Sequence, residues 1–219
     1  MAEDIRTMAD TTGVAAFHHQ FEKPYCVLLD SEYCSMGRMI GAKACEKAGY
    51  TYYDAVILLD LLNDPEVNVE FMEKVERQLR NKHLSREEIL SIDGYEKLTK
   101  AFDKAIDMAL AKGPCLIHDR AIKEDIVKRG YSVFTVLNYA TDINTKIERA
   151  KLSTSNNDCH TDEEYITRIQ EEDNIRYNSH LAKSDTTWGD KATYDLCLNA
   201  ETLGRDYAGE VLASILNGR

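Results

Sequence analysis

The chain has 219 residues, and 27 Lys plus Arg against 38 Asp plus Glu give a formal net charge of −11. An acidic surface repels DNA, RNA and anionic membranes, which excludes a nucleic-acid-coating or membrane-surface role but leaves room for a local basic pocket. Hydrophobic residues at 43% and charged residues at 30% are those of an ordinary folded chain.

Residues 1–23 are polar and read as an N-terminal arm, with a short lead-in helix over 12–21 and an exposed His18–His19 pair. Tyr25 to Leu29, YCVLL, is a short continuous apolar run that suits a buried strand. A turn-like DSEYCSMG follows. Ile40, Ala44 and Ala48, spaced by four, then predict a helix over 39–48, closed by Gly49. Tyr52 and Tyr53 begin a second extended segment. Val67, Phe71, Val75 and Leu79 mark a helix over 66–82, and Ser85 with Glu88 forms a capping box. Tyr95 to Lys112 is helical, stopped by Gly113-Pro114, and CLIH at 115–118 is a third strand.

A short helix over 122–129 precedes SVFTVLNY at 132–139, the most strand-like run of the chain. Asp142 caps a helix ending near Lys151, and 152–161 reads as a polar loop. A long charged helix spans 162–182, and Tyr194 to Leu198 is a last strand. A terminal helix presents Tyr207, Val211, Leu212, Ile215 and Leu216 on one face. Strands alternating with helices predict an α/β fold, with about five parallel strands between helical layers. The expected organisation is one domain over 24–219, with a helical insertion at about 63–95 and a second excursion at about 152–182.

No apolar run approaches the roughly 18 residues of a membrane span, and MAEDIRTMADTTG lacks a signal-peptide core. The six cysteines show no CxxC spacing. Reduced thiols and a cytoplasmic setting are expected. Cys115 and His118 form a CxxH, but a strand sends the two to opposite faces, so no metal site is expected.

In an open parallel sheet, ligands gather beyond the carboxyl ends of the strands. That directs attention to Asp30-Ser-Glu-Tyr-Cys-Ser-Met-Gly-Arg38-Met39. A phosphate cradle needs curled backbone amides at a helix N-terminus and a cation, in the pattern GxxxxGK[ST]. Here Gly37-Arg38 occupies the GK position, Glu32 replaces the first Gly, and Met39 replaces the hydroxyl residue. A plain strand-to-helix turn with a surface Arg is the alternative.

SEYCSMGRMIGAKACEKAGYTYYD resembles the start of the cytidylate-kinase-like family of P-loop kinases, which read SREYGSGGR, a helix, then YYD. WGD at 188–190, YDLCLN at 194–199, GPCLI with Arg120, and Asp173 with Arg176 are similar to its further motifs, in order, over about 24–204. The resemblance implies a three-layer P-loop kinase fold with an acceptor-binding insertion and a lid. It implies phosphoryl transfer from ATP, with Mg2+, to a nucleoside monophosphate such as CMP or dCMP, at full or reduced activity. The alternative is a degenerate relative that binds a nucleotide or a partner. Residue by residue, it assigns the donor loop to Cys34, Ser35, Met36, Gly37, Arg38 and Met39. Asp54, Arg120 and Arg168 would bind the acceptor, and Arg38, Arg149 and Arg176 would be catalytic cations. Salt bridging to Glu172 is the competing role for Arg168 and Arg176. Cys34, Met36 and Asp119 depart from the family pattern by standing where it has Gly, and Asp30-Ser31 stands where it has Ser-Arg, so a cation is lost and an anion gained, unless Asp30 holds magnesium through water. A lid loop without Arg is a further departure.

Overall fold

The computed structural model describes residues 21–81 and 84–218. The lead-in helix and the His18–His19 pair expected from the sequence lie outside them. Strands β1 (Cys26–Ser31), β2 (Thr51–Tyr53), β3 (Cys115–His118), β4 (Val133–Tyr139) and β5 (Leu196–Asn199) form one sheet in the order β2-β3-β1-β4-β5. Every neighbouring pair is parallel. The helices are α1 (Gly37–Ala48), α2 (Ala55–Leu62), α3 (Val69–Leu79), α4 (Arg86–Leu90), α5 (Tyr95–Lys112), α6 (Lys123–Lys128), α7 (Ile143–Lys151), α8 (Asp162–Lys183) and α9 (Ala200–Leu216).

The central strand shows why the fold has three layers. Cys26 and Leu28 enter one core with α2, α3 and α5, while Val27 and Leu29 enter a second core with α1 and α9. Successive side chains of a strand point to opposite faces, so a continuous apolar run is what a sheet covered on both sides requires. β3 alternates likewise, with Cys115 and Ile117 on one face and Leu116 on the other.

The segment between β2 and β3 is helical already from Ala55, because α2 was not expected from the sequence. Its AVILLDLL is apolar nearly all round and carries no 3.6-residue stripe, so its period is silent. The other helices fall within a few residues of their expected bounds. The Ser85–Glu88 capping box, the Asp142 cap and the Gly49 C-cap are all present. All six cysteines are free.

The last helix departs from expectation. Tyr207 is 62% exposed rather than buried with Leu212 and Leu216. Gly204 breaks the helix with φ 69° and ψ 163°, and the second half turns Ala208, Leu212, Ala213 and Leu216 inward instead.

Two excursions rise beside the carboxyl ends of the strands, and α8 joins them. Asn178 donates to the carbonyls of Leu79 and Asn81, and Asn174 donates to the carbonyl of Arg80. These are carbonyls at the end of α3, which a helix leaves unpaired. Arg86 in turn donates to the carbonyls of Leu181 and Ser184 near the end of α8.

Candidate functional site

The turn between β1 and α1 takes its shape from two left-handed residues, Cys34 (φ 63°) and Met36 (φ 68°). Neither is glycine, and a non-glycine residue in that region costs about 1–3 kcal/mol. The surroundings over-determine the turn. Asn138 donates to the Ser35 carbonyl at 2.7 Å, Ser35 Oγ donates to the Glu32 carbonyl at 2.7 Å, and the Glu32 amide donates to the Asn138 carbonyl at 3.0 Å. Cys34 rests on the small core of Ile147, Ala150 and Ile169, and Met36 rests on the core beneath α1. Burial pushes the Cys34 thiol up to about 11, so it is protonated at neutral pH. No side chain caps the N-terminus of α1, and its first turn holds no acidic residue. Its leading amides therefore stand ready for an anion.

Gly37 follows, packed so closely that a Cβ would lie 2.5 Å from Ser31 Oγ and 3.0 Å from His118 Nε2. Arg38 is 68% exposed and reaches Asp54 Oδ2 at 3.0 Å. Asp54 has a second task, because its Oδ1 caps α2 by accepting from the Ile57 amide at 3.1 Å.

Opposite the turn, α7 and α8 contribute cations. Lys146 is buried between Glu32 (2.7 Å) and Asp173 (3.8 Å). Arg149 Nη1 donates to the Cys34 carbonyl at 3.1 Å. Arg176 Nε donates to Asp119 Oδ2 at 3.1 Å, Nη1 donates to the Glu172 carbonyl at 2.6 Å, and its guanidinium lies 5.7 Å from the Tyr33 ring centre. Arg120, at the end of β3, pairs with Glu76 of α3 at 2.7 Å and lies over the Phe102 ring.

These groups line a cleft of about 570 Å3. Four arginines (Arg38, Arg120, Arg149 and Arg176) face three carboxylates (Glu32, Asp54 and Asp119) there. Glu76 balances Arg120 from outside the lining, so the cleft is close to neutral and still far more favourable to an anion than the rest of a chain of net charge −11. The sequence-predicted Cys34, Met36, Gly37, Arg38, Met39, Asp54, Arg120, Arg149 and Arg176 are thus brought together. Ser35 is buried as a brace of the turn. Arg168 is not among the cleft's lining residues. It binds Asp158 Oδ2 at 2.7 Å and the Ser155 carbonyl at 3.2 Å, and so pins the loop before α8. Neither Arg168 nor Arg176 pairs with the Glu172 carboxylate, because Arg80 occupies it.

Sequence reasoning missed the hydrogen-bonded chain beneath the turn. Tyr52 OH lies 2.8 Å from His118 Nδ1, and His118 Nε2 lies 2.6 Å from Ser31 Oγ. Burial lowers the His118 pKa, which favours the neutral ring, and because the Asp119 carboxylate 3.2 Å from Nε2 can only accept, the proton is assigned to Nε2, which donates to Ser31 while Tyr52 donates to Nδ1. Ser31 Oγ then donates to Asp119 at 3.4 Å. The CxxH spacing, weighed only for metal, was the one hint that His118 has a task. Glu76, 44 residues before the arginine it holds, carried no signal.

Asp119 takes a left-handed backbone, φ 61°, as the third non-glycine departure. Burial works against its charge, but His118 Nε2–H at 3.2 Å, the Arg176 guanidinium and the Ser31 amide outweigh it and hold the pKa below its ordinary value. Asp30 behaves in the opposite way. Burial, then the Asp119 charge, push it up to about 7, although Tyr194 donates to it at 2.7 Å. Burial likewise raises Asp173 to about 6.

For a carboxyl raised on folding, the native state binds more protons than the unfolded chain. Its contribution to stability is complete below the ordinary value, about 4, and is lost as pH rises through the folded value. The melting temperature is therefore expected to carry a downward slope from these groups between about pH 4 and pH 7, and Asp30→Asn to flatten it. An unchanged slope in that variant overturns the assignment.

The profile of the cytidylate kinase-like family matches residues 26–202. The chain belongs to the cytidylate kinase-like family. An uncharacterized protein from Eubacterium ventriosum, known from a crystal structure, is 16% identical to this family member. The match covers 90% of this chain and 100% of that one with a TM-score of 0.61, which speaks for the fold. No curated protein matches. The parallel β2-β3-β1-β4-β5 sheet between helical layers is the P-loop kinase-like architecture expected. The family makes the chain a nucleotide-kinase-like protein. Among the described residues, no helix is long and apolar enough to cross a membrane.

The residues present do not fit a protein-held magnesium. Met39 stands at the hydroxyl position, Asp30 is hydrogen-bonded and raised towards neutrality, and Glu32, Asp54 and Asp119 each hold a cation of the protein. No group of three or more metal-binding side chains occurs among the described residues.

Proposed function

We propose that the cleft transfers the terminal phosphoryl group of ATP to a nucleoside monophosphate, CMP or dCMP in the first place. The observation that carries this reading is the turn itself. Cys34 and Met36 adopt the backbone that glycines would, and their side chains lie on the flanking cores, so the hollow above α1 stays open. The α1 amides and Arg38 would hold the donor phosphates, with Ser35 bracing the turn. An acceptor phosphate oxygen attacks the terminal phosphorus. The bond to the bridging oxygen breaks, and a nucleoside diphosphate and ADP leave. Arg149 and Arg176, which line the cleft, would neutralise the charge that spreads over the transferring group. Arg120 would grip the acceptor phosphate, with Asp54 near it. The loop over 152–161 and the segment between β2 and β3 would act as lid and acceptor-binding insertion, and closure would exclude water. Magnesium, where used, would enter on the nucleotide, held by phosphate oxygens and water. The setting would be cytoplasmic, with small nucleotides as partners.

Purified protein given ATP, magnesium and a panel of nucleoside monophosphates is expected to form ADP and a nucleoside diphosphate, with the cytidine acceptors preferred. No transfer to any acceptor at high protein concentration overturns the activity. A second reading, a degenerate relative that binds a nucleotide or partner without turnover, is favoured by one observation. Each cleft arginine is already held by a carboxylate or carbonyl of the protein. Calorimetric binding of ATP without turnover selects that reading. Cys34→Gly with Met36→Gly removes the left-handed strain without opening new space above α1, and ATP affinity is expected to stay the same. A gain in ATP affinity means that the two side chains obstruct the loop.

A further inference from the structure

Asp119 is not explained by packing alone. It holds a backbone shape unfavourable to its side chain, at a turn that glycine would make without strain. Its carboxylate is nearly enclosed, 8% exposed, and is surrounded by donors. Oδ1 accepts from the Ser31 amide at 2.8 Å. Oδ2 meets Arg176 Nε at 3.1 Å, His118 Nε2 at 3.2 Å and Ser31 Oγ at 3.4 Å. A backbone amide, a guanidinium and a hydroxyl converging on one point are the donors that bind a phosphate oxygen. Both Asp119 and Arg176 line the cleft. The carboxylate thus presents to Arg176 the same sign of charge and the same kind of oxygen acceptor as an incoming phosphate.

We propose that Asp119 is an internal counter-anion that competes with phosphate for Arg176 and so sets how tightly the cleft grips a phosphorylated ligand. The inference rests on the reading of the cleft as a phosphate site. Arg176 cannot serve both anions at full strength. Its Nε is committed to Asp119 and its Nη1 to the Glu172 carbonyl, so a ligand phosphate must share or displace the first contact. Asp119 acts through Arg176 and is a positioning residue. The strained backbone holds the carboxylate in place, and the neutral His118 ring leaves the negative charge uncancelled except by Arg176.

The test is calorimetric titration of the full chain with pyrophosphate and with ATP, for the wild type, Asp119→Asn, Asp119→Gly and Asp119→Asn with Arg176→Gln. Asn keeps the shape and an acceptor for the Ser31 amide while removing the charge. Gly removes the strain as well, and keeps the test alive where one variant fails to fold. Both single variants are expected to bind pyrophosphate roughly tenfold or more tightly than the wild type. The gain is expected to vanish in the double variant. A merely structural ion pair would lower the melting temperature without tightening pyrophosphate binding, and that result overturns the proposal. A gain that survives loss of Arg176 also overturns it. Wild-type binding of ATP with no gain in either variant overturns the proposal and leaves the cleft reading intact. No binding of either ligand by any variant overturns the cleft reading and the proposal with it.

Discussion

Arg176→Met is expected to destabilise the fold by about 3–5 kcal/mol, the range for breaking a buried ion pair by removing one partner. Asp119 is 8% and Arg176 18% exposed at the edge of the cleft, so water replaces the lost guanidinium only in part. The same substitution removes the cation beside Tyr33 and the donor to the Glu172 carbonyl. Adding Asp119→Asn is expected to recover much of the loss, because the stranded charge is then gone. Urea unfolding of the single and double variants measures both effects. A loss under about 1 kcal/mol in the single variant would place the pair among ordinary surface contacts. On the proposed activity, the expected loss of turnover is about 100-fold or more, as for removal of one preorganised donor to a transition state.

Gly37→Ala is expected to cost about 3 kcal/mol, at the upper end for overpacking a tight core. The added methyl meets Ser31 and His118, and neither yields cheaply. Ser31 Cβ is fixed by the strand, and His118 is held at both ring nitrogens. Relief requires the start of α1 to lift from β1, which spoils the anion-ready turn. Thermal unfolding checks the stability. A nucleotide titration checks the site, where weaker affinity in the protein that remains folded is the expected result. A melting temperature within a degree or two of the wild type overturns the packing argument.

The sheet and its order of elements were legible because their signals are local. β3 and α5 fall on their expected bounds, since an apolar run and a Gly-Pro stop are read from a few adjacent residues. α2 was not legible, because a helix whose sequence is apolar nearly all round has no stripe. Tyr207 was misplaced because the small residues Ala208 and Ala213, which carry little periodic signal, share the inward face with Leu212 and Leu216. The donor loop was legible in outline from Gly37-Arg38 and the strand before it. Its internal partners were not. Glu76, Asp119 and the Cys34 carbonyl reach their arginines from distant positions, and no spacing rule links them. Arg168 illustrates the limit. The family resemblance assigned it to the acceptor, but the loop before α8 folds back to claim it.

The strand order has a kinetic consequence. β1 is the first strand to leave the ribosome, yet its two neighbours in the finished sheet begin at Cys115 and Val133. The apolar CVLLDS segment must therefore wait, unpaired on both edges, while the chain from Ser31 to Cys115, more than a third of its length, is synthesised. Pairings so remote in sequence are slow to form and leave sticky edges open to other chains. Nascent fragments that end before β4 are expected to depend on chaperone capture, and refolding at high concentration to lose material to aggregation at that early stage.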